Sequence, residues 1–192
     1  MKGVNIFLAD GFEDVEALGT YDVLTRGGIK VNLIGIGDEP FVTSSHGVTV
    51  GIENFLPEME IDHRGTDSRD VMIFPGGMPG TKNLAACKPL MKAMREHYAA
   101  GGRLAAICAA PGYVLSQLDA DILNGLRFTC FEGCQEPTTA KGGIYTPEPA
   151  VVDGRIITGR SAGHAVSFAL EILAALTDEQ TVAKVHHAMY LY

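Results

Sequence analysis

A cysteine next to small residues is the group with the clearest chemical potential in this sequence. Cys108 directly follows the apolar run LAAI and precedes AAPG. A thiol at the start of a helix lies near unpaired backbone N–H groups and the positive end of the helix dipole, which together favour the nucleophilic thiolate. Burial as a small apolar residue is the ordinary alternative, but the small neighbours of Cys108 favour a nucleophile at a tight turn.

Three further segments carry candidate polar or glycine-rich chemistry: Gly11 to Glu16, Pro75 to Gly80 and Gly159 to His164. Each comes directly after an apolar run that is typical of a strand buried on both faces. In an open parallel sheet the ligand site lies outside the carboxyl ends of the strands. We therefore expect these segments and Cys108 to converge at one edge of a sheet.

Buried strands and amphipathic helices alternate along the chain. The patterns predict strands at 3–9, 29–36, 70–74, 103–107 and 155–159, and helices at 13–26, at 83–100 with an interruption near Pro89, just after Cys108, and at 162–175. Segments 37–70 and 125–153 give weak patterns, with short strands such as VTVGI, LRFTC and GIYT between loops. This alternation indicates an α/β fold with a mostly parallel sheet and helices on both faces.

Composition limits the class of protein. With 192 residues, 46% apolar and 20% charged, we expect a single globular domain over 1–192. A net charge of -8 disfavours phosphate backbones and anionic lipid, so we expect no nucleic-acid and no membrane partner. No apolar run is long enough for a membrane helix, and Asp10 ends the first one before a signal sequence could form. Four cysteines without a CxxC pair predict reduced thiols and a cytoplasmic protein.

Four segments in this order resemble the ThiJ/PfpI family: GFEDVEA, IFPGGMPGTKNL, LAAICAAPGYVL and TGRSAGHAVSFALEIL. The most specific piece is AAICAAP, and the resemblance covers nearly the whole chain, with the weakest match at 51–70 and at the C-terminus. The resemblance implies a flavodoxin-like three-layer sandwich. It also implies a homodimer.

The resemblance assigns roles to two residues at the centre of the site. Cys108 matches the nucleophilic or oxidisable cysteine of the family, and Glu16 matches the glutamate that meets it. A carboxylate beside a thiolate shares a proton with it, so we expect Glu16 to favour its protonated form and to donate a hydrogen bond to sulfur. Glu13 and Asp14 are expected to be solvated charges at a helix N-terminus.

Backbone groups complete the implied site. Gly76 and Gly77 match the oxyanion-binding backbone of the family, because glycine permits a close approach of N–H groups to a negative charge. By its position, Ala109 supplies the second N–H. Arg160 and Ser161 match a basic and a small polar residue near the pocket and the dimer interface, although Arg160 fits a surface charge equally well.

Two positions depart from family patterns. Ala109 replaces the histidine that serves as base in the proteolytic branch, and Phe131 stands where deglycase and glyoxalase members often keep a histidine. His164 is either a surface residue at a helix N-terminus or a group that reaches the pocket from another loop. Cys130 and Cys134 flank the same loop, and they would share a face only if this segment were helical. Either one of them is a resolving thiol for oxidised Cys108, or both are unrelated residues of the pocket wall.

These residues support three hypotheses for function. The first is cofactor-independent glyoxalase- or deglycase-type chemistry, in which Cys108 attacks a small 2-oxoaldehyde or its protein adduct and Glu16 moves the proton. The second is a redox sensor or stress chaperone that works through oxidation of Cys108. The third, an intracellular cysteine peptidase or amidase, ranks lowest because of Ala109. No recognisable metal site is present, so we expect no metal and no cofactor.

Overall fold

The computed structural model describes residues 1–59 and 61–191, so Glu60 and Tyr192 of the expected domain lie outside the described residues. Its main sheet has seven strands in the order β10-β11-β7-β6-β1-β2-β5, all parallel except β10, which pairs antiparallel with β11. The bounds of these strands are β1 Val4–Leu8, β2 Val31–Gly35, β5 Asn54–Phe55, β6 Val71–Phe74, β7 Arg103–Ile107, β10 Ala150–Asp153 and β11 Ile156–Gly159. Two small pairs lie outside it, an antiparallel hairpin of β3 Phe41–Thr43 with β4 Thr49–Gly51, and a parallel pair of β8 Arg127–Phe128 with β9 Ile144–Tyr145.

Helices cover both faces of the sheet. They are α1 Asp14–Arg26, α2 Met78–Ala86, α3 Lys88–Ala99, α4 Ala110–Tyr113, α5 Ala120–Leu123, α6 Glu136–Thr139, α7 Ala165–Leu176 and α8 Glu179–Ala188. Helices α1, α7 and α8 pack on one face, and α2, α3 and α4 pack on the other. This arrangement confirms the flavodoxin-like three-layer sandwich.

The alternation of side chains along the central strands explains why both faces are apolar. In β6, Met72 and Phe74 join the core under α2 and α3, whereas Val71 and Ile73 join the core under α1 and α7. Successive side chains of a strand point to opposite faces, so a strand buried between two helix layers must be apolar at every position. All five residues of the VNIFL segment of β1 are buried, and four of them are apolar. The exception is Asn5, whose side-chain amide donates to the Lys2 and Gly3 carbonyls.

The strands agree with the sequence prediction more closely than the helices do. The long helix expected at 83–100 is two helices, α2 and α3, which meet at Cys87, and α2 begins at Met78. Pro89 lies in the first turn of α3, where the missing N–H of proline costs no hydrogen bond. The helix expected at 162–175 begins at Ala165, after one 3₁₀ turn. Helix α8 is an addition that the sequence analysis did not predict.

The order of the strands creates a crevice at the carboxyl edge of the sheet. From β1 the chain first moves outward to β2 and later returns to the other side of β1 to form β6. Loops that leave neighbouring strands in opposite directions open a gap in which ligands of such sheets bind. The loop after β1 leads to α1, the loop after β6 carries Gly76 and Gly77, and β7 ends directly before Cys108.

Candidate active site

Cys108 occupies a strained turn between β7 and α4. Its φ is 64°, in the left-handed region that residues other than glycine rarely adopt and that costs about 1–2 kcal/mol. The turn is fixed from both sides, because the Cys108 N–H donates to the Gly159 carbonyl at 3.0 Å and the Cys108 carbonyl accepts from the Phe131 N–H at 2.8 Å. Backbone strain held in this way is typical of functional turns.

Glu16 lies in the first turn of α1 and points into the protein. The residue is 1% exposed, and its Oε2 accepts a hydrogen bond from the Gly76 N–H at 2.8 Å. Its Oε1 is buried with no hydrogen-bond partner of ordinary geometry. A buried carboxyl with one unpaired oxygen is costly when ionised, so this position favours the protonated form.

Gly76 brings Glu16 and Cys108 together. A methyl group on Gly76 would overlap Glu16 Oε2 and would lie 2.5 Å from Cys108 Cβ and 3.1 Å from Cys108 Sγ. Gly77 has a φ of 85°, and a methyl group there would overlap the Gly11 carbonyl and lie 2.6 Å from the Glu13 nitrogen. Both glycines are therefore required by the close approach of three loops.

The carboxyl and the thiol each change the protonation of the other. Burial raises the pKa of Glu16 to about 7, and the charge of Glu13 contributes to that rise, whereas the neighbouring Cys108 thiol and the hydrogen bond from the Gly76 N–H oppose it. Burial and the neighbouring Glu16 charge raise the pKa of the Cys108 thiol above its ordinary value. This direction corrects the expectation that the helix N-terminus favours a thiolate, because α4 has only four residues while the sulfur is buried beside a carboxylate.

Backbone N–H groups lie at the sulfur. Hydrogen bonds from Gly77 and Ala109 act on Cys108 and lower its pKa against the larger effect of burial. Two N–H groups that favour negative charge on sulfur can also favour negative charge on an oxygen bonded to the neighbouring carbon. Of the three residues assigned by sequence to oxyanion binding, Gly77 and Ala109 are thus adjacent to the thiol, whereas the Gly76 N–H donates to Glu16 Oε2.

The loop after β11 reaches the Cys108 backbone through Gly159. Arg160 follows at once, but its guanidinium donates to the Pro147 carbonyl at 2.9 Å. Ser161 Oγ and His164 Nδ1 lie 3.0 Å apart and form a hydrogen bond with each other. The loop therefore lies beside the site, but the side chains of Arg160, Ser161 and His164 form hydrogen bonds within the segment 147–164.

Phe131 belongs to a turn that is attached to Cys108 by its backbone. Its side chain is 50% exposed, whereas Cys130 and Cys134 are 0% and 4% exposed. The segment from Phe131 to Cys134 is a turn closed by the Cys134 N–H on the Phe131 carbonyl at 3.0 Å, so the condition under which the two thiols would share a helix face is not met. Burial, and then the neighbouring Cys134, raise the pKa of Cys130 to about 12, so this thiol is protonated at neutral pH.

Glu13 and Asp14 have specific partners, which corrects their expected role as solvated charges. Glu13 caps α1 by accepting from the Glu16 N–H at 2.8 Å. Asp14 accepts a hydrogen bond from Ser44 and pairs with His46, both on the hairpin of β3 and β4. Ligand atoms of Glu13, Asp14 and His46 lie within 4.8 Å of one another, but these groups are also engaged with protein partners. Sequence reasoning missed His46 because segment 37–70 has no readable periodicity.

Cavities give a weaker indication of the site than the contacts do. One cavity of about 410 Å³ opens at the carboxyl edge between the ends of β1 and β2 and is lined by Asp10, Phe41 and Cys87, among others. Another of about 590 Å³ lies between α7 and α8, against Val182 and Tyr190. The candidate site is centred on Cys108 and Glu16, which meet at Gly76.

A partly buried thiol and a buried carboxyl that meet at the carboxyl edge of a parallel sheet define a flavodoxin-like protein with a cysteine-centred site. The family model that matches this chain is that of the DJ-1/PfpI family, over residues 2–175. The chain belongs to the DJ-1/PfpI family, which confirms the resemblance found in the sequence. Within 1–59 and 61–191, no helix has the length and apolar character needed to cross a bilayer.

Three relatives illustrate the range of the similarity. Protein dj-1beta of Drosophila melanogaster is 31% identical over 96% of this chain and 94% of its own length. A glutathione-independent glyoxalase of Caenorhabditis elegans is 32% identical over 85% of this chain and 82% of its own length. The solved structure of oxidised DJ-1 from Toxoplasma gondii is 25% identical, covers 100% of both chains and superposes with a TM-score of 0.87.

Proposed function

We propose that this protein is a cofactor-independent enzyme of the glyoxalase or deglycase type, which acts on small 2-oxoaldehydes or their protein adducts. The observation that carries the proposal is the buried pair of Glu16 and Cys108, held at Gly76, with a Glu16 pKa near neutrality. A general base works best when its pKa lies near the working pH. The relative named a glutathione-independent glyoxalase supports the same chemistry.

The reaction begins with a carbon–sulfur bond. The sulfur of Cys108 attacks the aldehyde carbon while ionised Glu16 accepts the thiol proton, and the carbonyl oxygen becomes an alkoxide that the Gly77 and Ala109 N–H groups stabilise. Glu16 returns the thiol proton to this oxygen, which gives a hemithioacetal and leaves the carboxylate ionised again. Glu16 then takes the former aldehyde proton from the first carbon and delivers it to the neighbouring carbon, while the hydroxyl proton of the hemithioacetal passes to the ketone oxygen. The product is a thioester of a 2-hydroxy acid.

Water completes the cycle. Hydrolysis of the thioester releases the 2-hydroxy acid and restores the Cys108 thiol, so that methylglyoxal plus water gives lactate. One carbon is oxidised and its neighbour is reduced within the same molecule, which removes any need for an external redox partner. For a protein adduct, the Cys108 sulfur displaces the side-chain thiol or amine from the hemithioacetal or hemiaminal carbon. The bond from that carbon to the substrate protein breaks, the leaving group takes the proton that Glu16 accepted from Cys108, and the unmodified side chain is released.

The direct test is lactate formation from methylglyoxal by the purified protein. Cys108→Ser and Glu16→Gln are expected to lose at least about 100-fold in kcat/KM, since each removes a reacting group. Cys87→Ser is the matched control, because Cys87 is a free, partly exposed cysteine outside the site and should keep full activity. Circular dichroism checks that each variant is folded, and turnover that survives in folded Cys108→Ser would overturn the proposal.

A redox sensor is the second candidate, and the partial exposure of Cys108 favours it. Cys108 is partly accessible, whereas Cys130 and Cys134 are buried. A hydroperoxide would transfer one oxygen to the Cys108 sulfur and leave as water or an alcohol, and a second equivalent would give the sulfinic acid. Under limiting peroxide we expect oxygen to be added to Cys108 first and to fail in Glu16→Leu, whereas equal oxidation of all four cysteines would exclude a sensor.

We also propose a cytoplasmic homodimer, as the family resemblance implies. Light scattering on the purified protein should give about 41 kDa, twice the 20.4 kDa of one chain. A mass of one chain at micromolar concentration would contradict the dimer. Peptidase activity is the least supported alternative, since Ala109 leaves no histidine directly after the nucleophile.

A further inference from the structure

Glu13 connects two of the three loops that form the site. Its backbone N–H donates to the Gly76 carbonyl at 3.0 Å, and its side-chain Oε2 accepts from the Glu16 N–H at 2.8 Å. One residue therefore holds the start of α1 against the glycine loop on one side and fixes the first helical turn, which carries Glu16, on the other.

The type of cap is unusual for the position it occupies. Ser, Thr, Asp and Asn are the preferred residues at helix N-caps, because their short side chains reach the free N–H groups easily. Glu13 has a longer side chain, which must fold back to reach the Glu16 nitrogen. In doing so it brings a full negative charge to the residue whose own carboxyl is buried at the site.

We propose that Glu13 is a positioning residue for the reaction, which holds the Glu16 carboxyl toward Cys108 through the helix cap and the bond to the Gly76 carbonyl. The negative charge of Glu13 also disfavours ionisation of that carboxyl. Two like charges in one helical turn disfavour each other's ionised form. The proposal rests on the proposed function only through the pairing of Glu16 with Cys108. Glu13 acts through Glu16 and touches no reacting atom.

The charged groups around Glu16 restrict the explanation. From the end of β7 it faces the Cys108 thiol, from the glycine loop the uncharged Gly76 N–H, and from its own helix Glu13. Asp14, the other acid of this turn, is paired with His46 of the hairpin, so its charge is already compensated when His46 is protonated. Glu13 is therefore the carboxylate whose removal should act most directly on Glu16.

The test is the rate at which iodoacetamide alkylates Cys108 between about pH 5 and about pH 9, followed by peptide mass spectrometry. In the wild-type protein, loss of the first proton from the pair should produce a step with a midpoint of about 7, which Glu16→Gln abolishes. Glu13→Gln keeps a side-chain acceptor for the cap but removes the charge. We expect its step to move to lower pH by about half a unit, because the pair is partly screened by solvent.

Two further variants separate charge from structure. Glu13→Ala removes the cap as well, so its midpoint should also fall and its Tm should drop by a few degrees. Asp178→Asn is the matched control, because Asp178 caps α8 through the Thr181 N–H, far along the chain from the site, and should leave the step in place.

The outcomes distinguish the two levels of the argument. A wild-type profile without a step sensitive to Glu16→Gln would refute the pairing itself and the proposed function with it. A wild-type step that stays at the same pH, or rises, in Glu13→Gln would overturn the role of Glu13 and leave the pairing intact. A step that moves equally in Asp178→Asn would also overturn it, since that result requires no local charge.

Discussion

The buried carboxyl of Glu16 should make the protein less stable as the pH rises, and Glu16→Gln should remove that dependence. The folded state holds the Glu16 pKa at about 7, against an ordinary value of 4.5, chiefly because burial penalises the charge. Below about pH 4.5 the carboxyl is neutral in both the folded and the unfolded chain, so it carries no penalty. Between 4.5 and 7 only the unfolded chain ionises, so folding becomes less favourable.

The size of the effect follows from the same two values. Each pH unit in that interval costs about 1.4 kcal/mol, so the total penalty is about 3 kcal/mol and is complete above pH 7. A glutamine has nearly the same shape and can accept the Gly76 N–H without ionising. The variant should therefore gain about 3 kcal/mol relative to the wild type between pH 4.5 and pH 8, on top of any constant difference in packing.

Urea unfolding at a series of pH values measures this difference directly. Other titrating groups are shared by the two proteins and cancel in the subtraction, as long as they do not contact Glu16. Glu53→Gln, which changes an exposed carboxylate, should give a difference that does not vary with pH. A difference for Glu16→Gln that stays flat, or that falls as the pH rises, would refute the reasoning from burial.

Three other predictions follow from the same geometry. Gly76→Ala should lose about 2 kcal/mol of stability and most methylglyoxal turnover, because the new methyl group overlaps Glu16 and Cys108, and urea unfolding with full stability retained would contradict this. Cys108→Gly should have a free energy of unfolding about 1 kcal/mol higher than Cys108→Ala in urea unfolding, because glycine relieves the strain at φ 64°. The reverse order would show that the turn is unstrained. His97 is buried, and burial lowers its pKa to about 4, so only the unfolded chain takes up a proton here as the pH falls from 6.5 to 4. Over this range the free energy of unfolding of the wild type should fall by up to about 3 kcal/mol more than that of His97→Gln. Equal falls in the two proteins would contradict the prediction.

The central strands could be predicted from sequence because their burial leaves a continuous apolar signal. The segment VMIF of β6 is apolar at every position, and VNIFL of β1 is apolar at every position except Asn5, as expected for strands between two helix layers. Helix α8 was missed because its apolar face is narrow: Val185 is the one buried residue among its ten, and Val182 packs beside it only partly buried. The cap at Asp178 was the one local signal available for it.

The candidate site was predictable in position but not in electrostatics. A sequence shows that Cys108 follows a strand, and the carboxyl edge of the sheet then brings it near the loops after β1 and β6. The pairing with Glu16 was expected only from the family resemblance, and the sequence does not show how far the sulfur is shielded from water. That burial, together with the Glu16 charge, reverses the expected direction of the thiol pKa. Asp14 was misjudged for a related reason, because its partner His46 lies 32 residues further along the chain.

The hydrogen bond from the Cys108 N–H to the Gly159 carbonyl also sets a time at which the site can form during protein synthesis. The nucleophile's turn is closed by β11, which a ribosome makes about 50 residues after Cys108, and β11 must first emerge and pair with β7. A nascent or truncated chain that ends before β11 therefore has the cysteine but not its constrained geometry. The constrained geometry of Cys108 is therefore a property that the chain acquires only after β11 has been made and has paired with β7.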